Sequence, residues 1–476
     1  MQTPILGSAY VARSVNAADN RMVNLFPEVL QEGKTAAYLQ RVPGLVLRAT
    51  LGVGPIRGMN AFGEYLYVAS GSSLYRVDQA YTSTLIGTLA NDGPVSMANN
   101  GTQLFIACNG PSYIYNTSTL AFQQITDPDF PGALTVSYLD EYFVFIEPNS
   151  QRVWVTSLND GTMIDPLDFA SAEGDPDGLV SSIVDHSEVW LFGTNSVEVW
   201  YNSGAADFPL QRIQGAFNEI GCAATFSVAK LDNGLFWLGA DARGKGIVYR
   251  ANGYTGQRIS THAVEWQIQG YANIDDAVAY TYQQDGHSFY VLNFPSANAT
   301  WVYDVATGAW HERAGFDNGI FTRQRGTCQA SFAGDILVGD YQNGRVYAYD
   351  INYHQDYDRP QRWLRSWRAL PTNANNFKRT AQHSLQIDIE SGVGLDGLVQ
   401  GSDPQIMLRW SDDGGHTWSN EHWAEMGKLG RYNTRVFFRR LGMTMKLRDR
   451  VYELSGTDPV EINIMGADLI LGQTNA

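Results

Sequence analysis

Asp335-Ile-Leu-Val-Gly-Asp-Tyr-Gln-Asn-Gly-Arg-Val-Tyr-Ala-Tyr-Asp350 decides the fold class. Short apolar and aromatic runs flank Asn343-Gly344, the pair best suited to the φ > 0 conformations of a tight type I′ turn. Neither run alternates: Ile336, Leu337 and Val338 are all apolar, and so are Val346, Tyr347 and Ala348. A strand with water on one face alternates, so these strands are predicted to be covered on both faces. A lone two-stranded hairpin is marginal, so this one needs others like it to pack against.

Six relatives precede it. Hairpin patterns begin at Gly63, Gly101, Asp140, His186, Asp232, Gln284 and Phe332, at intervals of 38 to 52 residues. A repeat of that length, with two strong central strands and weaker flanks, is the signature of propeller blades. A sandwich would alternate more cleanly and a β-helix would repeat sooner. The expected fold is therefore all-β: a β-propeller of six or seven blades over residues 51–352, after an extended N-terminal arm at 1–50. Beyond a polar linker at Tyr353–Pro360, better alternation (Leu385, Ile387, Ile389) predicts a C-terminal β-sandwich-like domain within 353–476.

Composition supports a large core of packed strands. The chain has 476 residues, 47 of them Gly and 58 aromatic, and a formal charge of −16. The charge is uneven: residues 359–450 carry a balance of +6 and the rest −22. An acidic body repels polyanions, which argues against tight general DNA binding there. Cys108, Cys222 and Cys328 are too far apart for a metal site or disulfide framework and are expected to be buried thiols. The first residues lack the pattern of a secretion signal, and no 18-residue apolar run is present, so a soluble protein with no membrane partner is expected.

Motifs with the form of chemical sites read as structure. Ser411, Asp413, Gly415, Thr417 and Trp418 match the Asp-box S-x-D-x-G-x-T-W, in which the Asp accepts backbone N–H bonds, the Gly permits the turn and the Trp anchors the loop. One copy outside the propeller predicts a hairpin turn rather than a glycosidase. The Arg-Ile-Pro signature of a sialidase is missing as well. Gly392–Gly397 fits G-x-G-x-x-G, but Gln400-Gly-Ser-Asp-Pro404 follows where a dinucleotide site needs a helix. Asp-Pro-Asp at 127–129 and 175–177 is expected to cap turns. No catalytic residue, metal site or cofactor is predicted.

Two basic groups are candidates for partner docking. Arg362, Trp363, Arg365, Trp367 and Arg368 interleave charge and aromatic surface; as a strand, Trp363, Arg365 and Trp367 share one face. Arg431, Arg435, Arg439 and Arg440 form the second group. Arg and Trp are enriched at protein interfaces, and no nucleic-acid-binding fold surrounds them, so a protein partner is favoured.

The two ends of the chain resemble a known family. Asn24-Leu-Phe-Pro-Glu28, Gly33-Lys34 and Arg41-Val-Pro-Gly44 are similar to the opening of the packaged-DNA stabilisation (tail hub, or nozzle) proteins of short-tailed phages. So are Ser366–Pro371, Gln386–Glu390, Arg409–Gly415, Lys428–Gly430, Arg439–Gly442 and Asp458–Val460. The resemblance implies a structural virion protein with a propeller fold and no catalytic residues, assembled in the host cytoplasm. It implies a self-assembled ring, typically a hexamer, beneath the portal and adaptor rings. Such a ring closes the head, retains the packaged DNA and forms part of the exit channel. Implied partners are adaptor and portal proteins, tail needle, tailspike or fibre proteins, and transient non-specific contact with exiting double-stranded DNA. An acidic channel wall would let DNA slide, and the basic C-terminal domain would dock on an acidic partner ring. The alternative is a carbohydrate-binding propeller, either a lectin or a sialidase-like glycosidase.

Overall fold

The computed structural model describes residues 1–7, 9–11, 19–90, 93–172, 174–205, 207–241, 244–370, 378–445 and 449–472. All seven hairpins become blades. Blades 1 to 6 span 56–88, 96–124, 136–171, 179–218, 221–258 and 278–312, each an antiparallel sheet built from consecutive strands. In blade 5 two short strands, Gly221–Cys222 and Ala229–Leu231, share the first position against Gly234–Asp241. Blade 7 takes Gly326–Phe332, Asp335–Asp340 and Arg345–Asp350 from its own stretch and its fourth strand, Gly44–Thr50, from the N-terminal segment. The strand Gly326–Phe332 then packs on Ile56–Phe62 of blade 1 and closes the ring.

Side-chain packing explains the missing alternation. Leu104 and Ile106 point into the cluster shared with blade 1, while Phe105, between them, enters the cluster shared with blade 3. Both faces of each blade are interior, and each of the seven interfaces between blades holds its own apolar cluster. Burying an apolar side chain of this size contributes about 1.5–3 kcal/mol.

The opening hairpin is tight at the end opposite to the one expected. Ala333 and Gly334 both have positive φ (52° and 84°), as a two-residue turn requires. Asn343 and Gly344 do not. They lie in a four-residue loop where the Asn343 side chain accepts the Arg345 N–H at 3.0 Å. Gly344 is needed for closeness instead: a Cβ there would lie 2.3 Å from the Leu51 carbonyl oxygen.

The C-terminal module is a two-sheet sandwich. One sheet pairs Leu25–Val29, Ala37–Arg41, Asn463–Gly472, Ala381–Ile389 and Val436–Arg439. The other carries Trp363–Arg368, Val451–Gly456, Gln405–Ser411 and His422–Glu425, and through Met22–Val23 it is continuous with blade 6. Trp363, Trp367, Leu385, Leu408 and Tyr452 fill the space between them. The extended N-terminal segment is thus divided between the two modules, and the expected boundary at residue 50 falls inside blade 7's own sheet. Nor is Tyr353–Pro360 a free linker: Asp356 pairs with Leu45 on the edge of blade 7, and Asp358 bonds Arg325 at 2.6 Å.

Candidate functional site

The propeller's inner strands enclose a bore of about 450 Å3, reached by Met59, Met97, Tyr138, Ile183, Lys230, Tyr280 and Gln329, one from each blade. A second cavity of about 480 Å3, lined among others by Asp275, Asp276, Arg323 and Tyr341, borders it. At ~30 Å3 per water the bore holds about 15 waters. That volume is in the range of about 300–1,000 Å3 that small-molecule pockets occupy.

The first predicted docking group is turned inward. Trp363, Arg365 and Trp367 do share a face, as a strand places them, but that face is fully buried. Trp367 donates to the Thr3 hydroxyl at 3.0 Å. Arg365 donates to the carbonyls of Ile5 at 2.7 Å and Gly7, and burial pushes its pKa down to about 9. Arg365 and Trp367 hold the chain's first residues and Trp363 is buried in the sandwich core, and the expectation of a docking surface is corrected for all three: a partner cannot reach side chains that the chain itself has covered. Arg362 lies against the Phe316 and Phe321 rings and Arg368 pairs with Asp449 at 2.9 Å, both on the flanks of this seam.

Other seam residues gave no sequence signal of their own. Arg41, 1% exposed, donates to Gln361 Oε1 at 3.0 Å and to the carbonyls of Asp458 (2.6 Å), Val460 (2.9 Å) and Gln361. Burial lowers its pKa to about 9. Asn24 donates to the carbonyls of Ala314 and Arg362, both at 2.7 Å, and accepts the Ala314 N–H. His287 in blade 6 bridges Asp304 (2.8 Å) and Glu28 of the N-terminal hairpin (2.5 Å). Asn24, Glu28, Arg41 and Asp458 all fall in the family-like segments. Their shared property is location at the join of propeller and sandwich.

The second group faces solvent. Arg431, Arg435, Arg439 and Arg440 are exposed, and the guanidiniums of Arg435 and Arg439 flank the Phe437 ring at 5.5 and 5.2 Å. Val436–Arg439 is an edge strand of its sheet. Tyr432, 76% exposed, and Leu429 add apolar surface beside it.

The Asp-box is a turn. Asp413 accepts the Thr417 N–H at 2.8 Å and hydroxyl at 2.6 Å, and Ser411 accepts the Gly415 N–H at 2.8 Å. Hydrogen bonds from Ser411 and Thr417 hold the Asp413 carboxyl well below the usual carboxylate range. Trp418 differs from expectation: it is half-buried on the surface beneath Arg409 (4.7 Å) rather than anchored in the core. Asp127 and Asp177 cap turns, Asp177 accepting the N–H groups of Asn195 and Ser196 at 2.6 and 3.1 Å. Burial pushes the Cys108 and Cys222 thiols up to about 11 and Cys328 to about 12. Among the described residues, no three His, Cys, Asp or Glu side chains are placed to hold a metal, and no helix is long and apolar enough to cross a membrane.

Charge is sharply sectored. Residues 77–211 contain 17 Asp and Glu against one basic residue, Arg152, so they hold a net −16, equal to that of the whole chain. They run from the end of blade 1 into the last strand of blade 4. Within this sector the loop 157–168 leaves Leu158, Met163 and Leu167 exposed, Leu167 by 77%.

Comparison with known proteins agrees with this architecture. Residues 1–353 match the family described as "Bacteriophage P22 Gp10, beta-propeller", and residues 343–471 match "Bacteriophage P22 Gp10, beta-sandwich". No curated protein matches the chain. Among solved structures, the N-terminal domain of Nup159 is similar at 8% identity, covering 69% of this chain and 98% of that one with a TM-score of 0.41. A chain of the mitotic checkpoint complex aligns at 12% identity over 68% of this chain and 97% of its own, with a TM-score of 0.44. The extracellular domain of BT4673 from B. thetaiotaomicron aligns at 12% identity over 88% of this chain and 58% of its own, with a TM-score of 0.43. With both family segments matched in order along nearly its whole length, the chain belongs to the bacteriophage P22 Gp10 family of packaged-DNA stabilisation (tail hub) proteins and is a structural protein of a phage.

Proposed function

We propose that the protein is a tail hub or nozzle subunit. Copies form a ring, a hexamer on the family's pattern, beneath the portal and adaptor rings; the ring closes the head and forms part of the DNA exit channel. The observation that carries this reading is the nine-stranded sheet running from blade 6 through Met22–Val23 into the sandwich. It makes the two modules one stiff body, as a wall under the pressure of packaged DNA requires. DNA passes through the centre of the ring, between copies, rather than through a propeller bore of about 450 Å3. The net charge of −16 on each copy leaves few phosphate contacts for the wall to hold, so moving DNA releases few counterions and meets little friction. Contacts with neighbouring proteins use the exposed basic face of the sandwich, Arg431, Arg435, Arg439 and Arg440.

The test is electron microscopy of virions and of particles lacking this protein. A ring of this density at the head–tail junction, with genome leakage from particles lacking it, is the expected result. Density elsewhere, or full heads without it, refutes the reading. A strong and steeply salt-dependent affinity of the isolated protein for duplex DNA would refute the sliding wall.

A further inference from the structure

The basic face and the acidic sector belong to the same chain but lie on different modules of it. The sandwich is joined to blade 6 through Met22–Val23 and to blade 7 through Gly44–Thr50. In a ring of seven, the blades across from that pair are blade 3 and its neighbours, the centre of the acidic sector. Both surfaces also expose apolar side chains: Leu429 and Tyr432 on the basic side, Leu158, Met163 and Leu167 on the acidic side. The acidic loop is flanked by exposed carboxylates. The Glu141 carbonyl accepts the Asn159 N–H beside Leu158, and the Asp127–Asp129 turn accepts the Ile164 N–H beside Met163.

We propose that the acidic sector of one copy receives the basic sandwich face of the next, so that identical chains join head to tail. This rests on the ring reading above and names the partner of its basic face: a second copy of this chain. Opposite charge on two separate patches forbids the isologous alternatives, because acidic against acidic and basic against basic both place like charges together. A heterologous contact of this kind generates a ring when its rotation closes. The apolar side chains supply the contact's core, and the charges supply register and encounter rate.

Four exposed residues outside both cores test it. Arg435→Glu with Arg439→Glu reverses one surface, and Asp129→Arg with Glu141→Arg reverses the other. Mass photometry of the full chain is expected to show each pair weakening self-association at least tenfold. Mixing the two variants, or combining all four changes in one chain, restores it, which also shows that the variants fold. Wild-type association weakens in 1 M salt, where the screening length falls to about 3 Å. Either pair leaving assembly unchanged, or the four-fold variant remaining as impaired as the pairs, overturns the inference while leaving the ring intact. Normal self-association of the Arg435→Glu, Arg439→Glu chain with loss of adaptor binding likewise overturns it and assigns the basic face to the adaptor. A wild-type chain that stays monomeric at every salt concentration and in virions removes the ring reading itself.

Discussion

His287 should make the join between propeller and sandwich sensitive to alkali. Its imidazole sits in blade 6 with Nδ1 on Asp304 at 2.8 Å and Nε2 on Glu28 at 2.5 Å. Burial opposes its charge, but hydrogen bonds to Asp304 and then Glu28 outweigh it and raise the pKa to about 9. The neighbouring His311 is held neutral by burial and by the Arg313 and His287 charges, so it does not share the proton. Each tenfold change in proton affinity is worth ~1.4 kcal/mol. The interval from the ordinary value of 6.5 to about 9 is then worth roughly 3 kcal/mol, which solvent around the half-buried Glu28 screens to about 2. Because the folded-state pKa is raised, this contribution is complete below pH 6.5, declines as pH climbs, and is gone above pH 9. Calorimetric melting of wild type and His287→Gln between pH 6 and 10 reads it directly. The two should differ most at pH 6 and converge by pH 9–10. Parallel curves across that range would show that His287 carries no proton of structural consequence and would refute the reasoning.

Three further perturbations have expected outcomes. Gly344→Ala should destabilise the closure of blade 7 by about 3 kcal/mol, as overpacking does, because its Cβ would sit 2.3 Å from the Leu51 oxygen; an unchanged melting temperature would contradict the close approach. Arg41→Met strands buried carbonyls of Val460 and Gln361 at about 1–3 kcal/mol each while releasing a buried charge. The net expectation is a loss of about 3 kcal/mol, with faster proteolysis around 356–361; a variant as stable as wild type would show that the seam does not depend on this clamp. Asp413→Ala should speed amide exchange at Thr417 and leave the global melting transition and self-association as they were; a loss of assembly would give the Asp-box a role beyond its turn.

What could be read from the sequence was local. Paired strands such as Asp335–Asp340 and Arg345–Asp350 are joined by four residues, so their apolar runs and spacing report on one another, and every such hairpin became a blade. Partners hundreds of residues apart leave no comparable trace. Nothing in Gly44–Thr50 says that it pairs with Arg345–Asp350, or that Leu25–Val29 and Ala37–Arg41 complete a sheet with Asn463–Gly472. The same blindness misplaced the first arginine group. Alternation put Trp363, Arg365 and Trp367 on one face correctly, but a strand pattern cannot say whether that face meets water, another protein or the chain's own first seven residues. The exposed group at 431–440 lies on an edge strand and its loop, where fewer long-range partners compete for it, and its basic character survived into the fold as surface.

The buried arginines also explain why the recognisable residues cluster at the two ends of the chain. Blade interfaces need apolar volume, and many combinations of Val, Leu, Phe and Tyr supply it, so blades constrain composition more than identity. The seam is different. Arg41 and Arg365 each place one planar cation against several backbone carbonyls, and a cation buried without that geometry costs several kcal/mol. Lysine cannot span the same acceptors, and Gly44 cannot gain a Cβ, which would fall 2.1 Å from the Tyr353 oxygen. Few residue choices satisfy such a join, and it is built from both termini because the ring of blades is closed by one and capped by the other. The proposed hub role, which asks for a wall that does not hinge between its two modules, places its strictest chemical demands at this join.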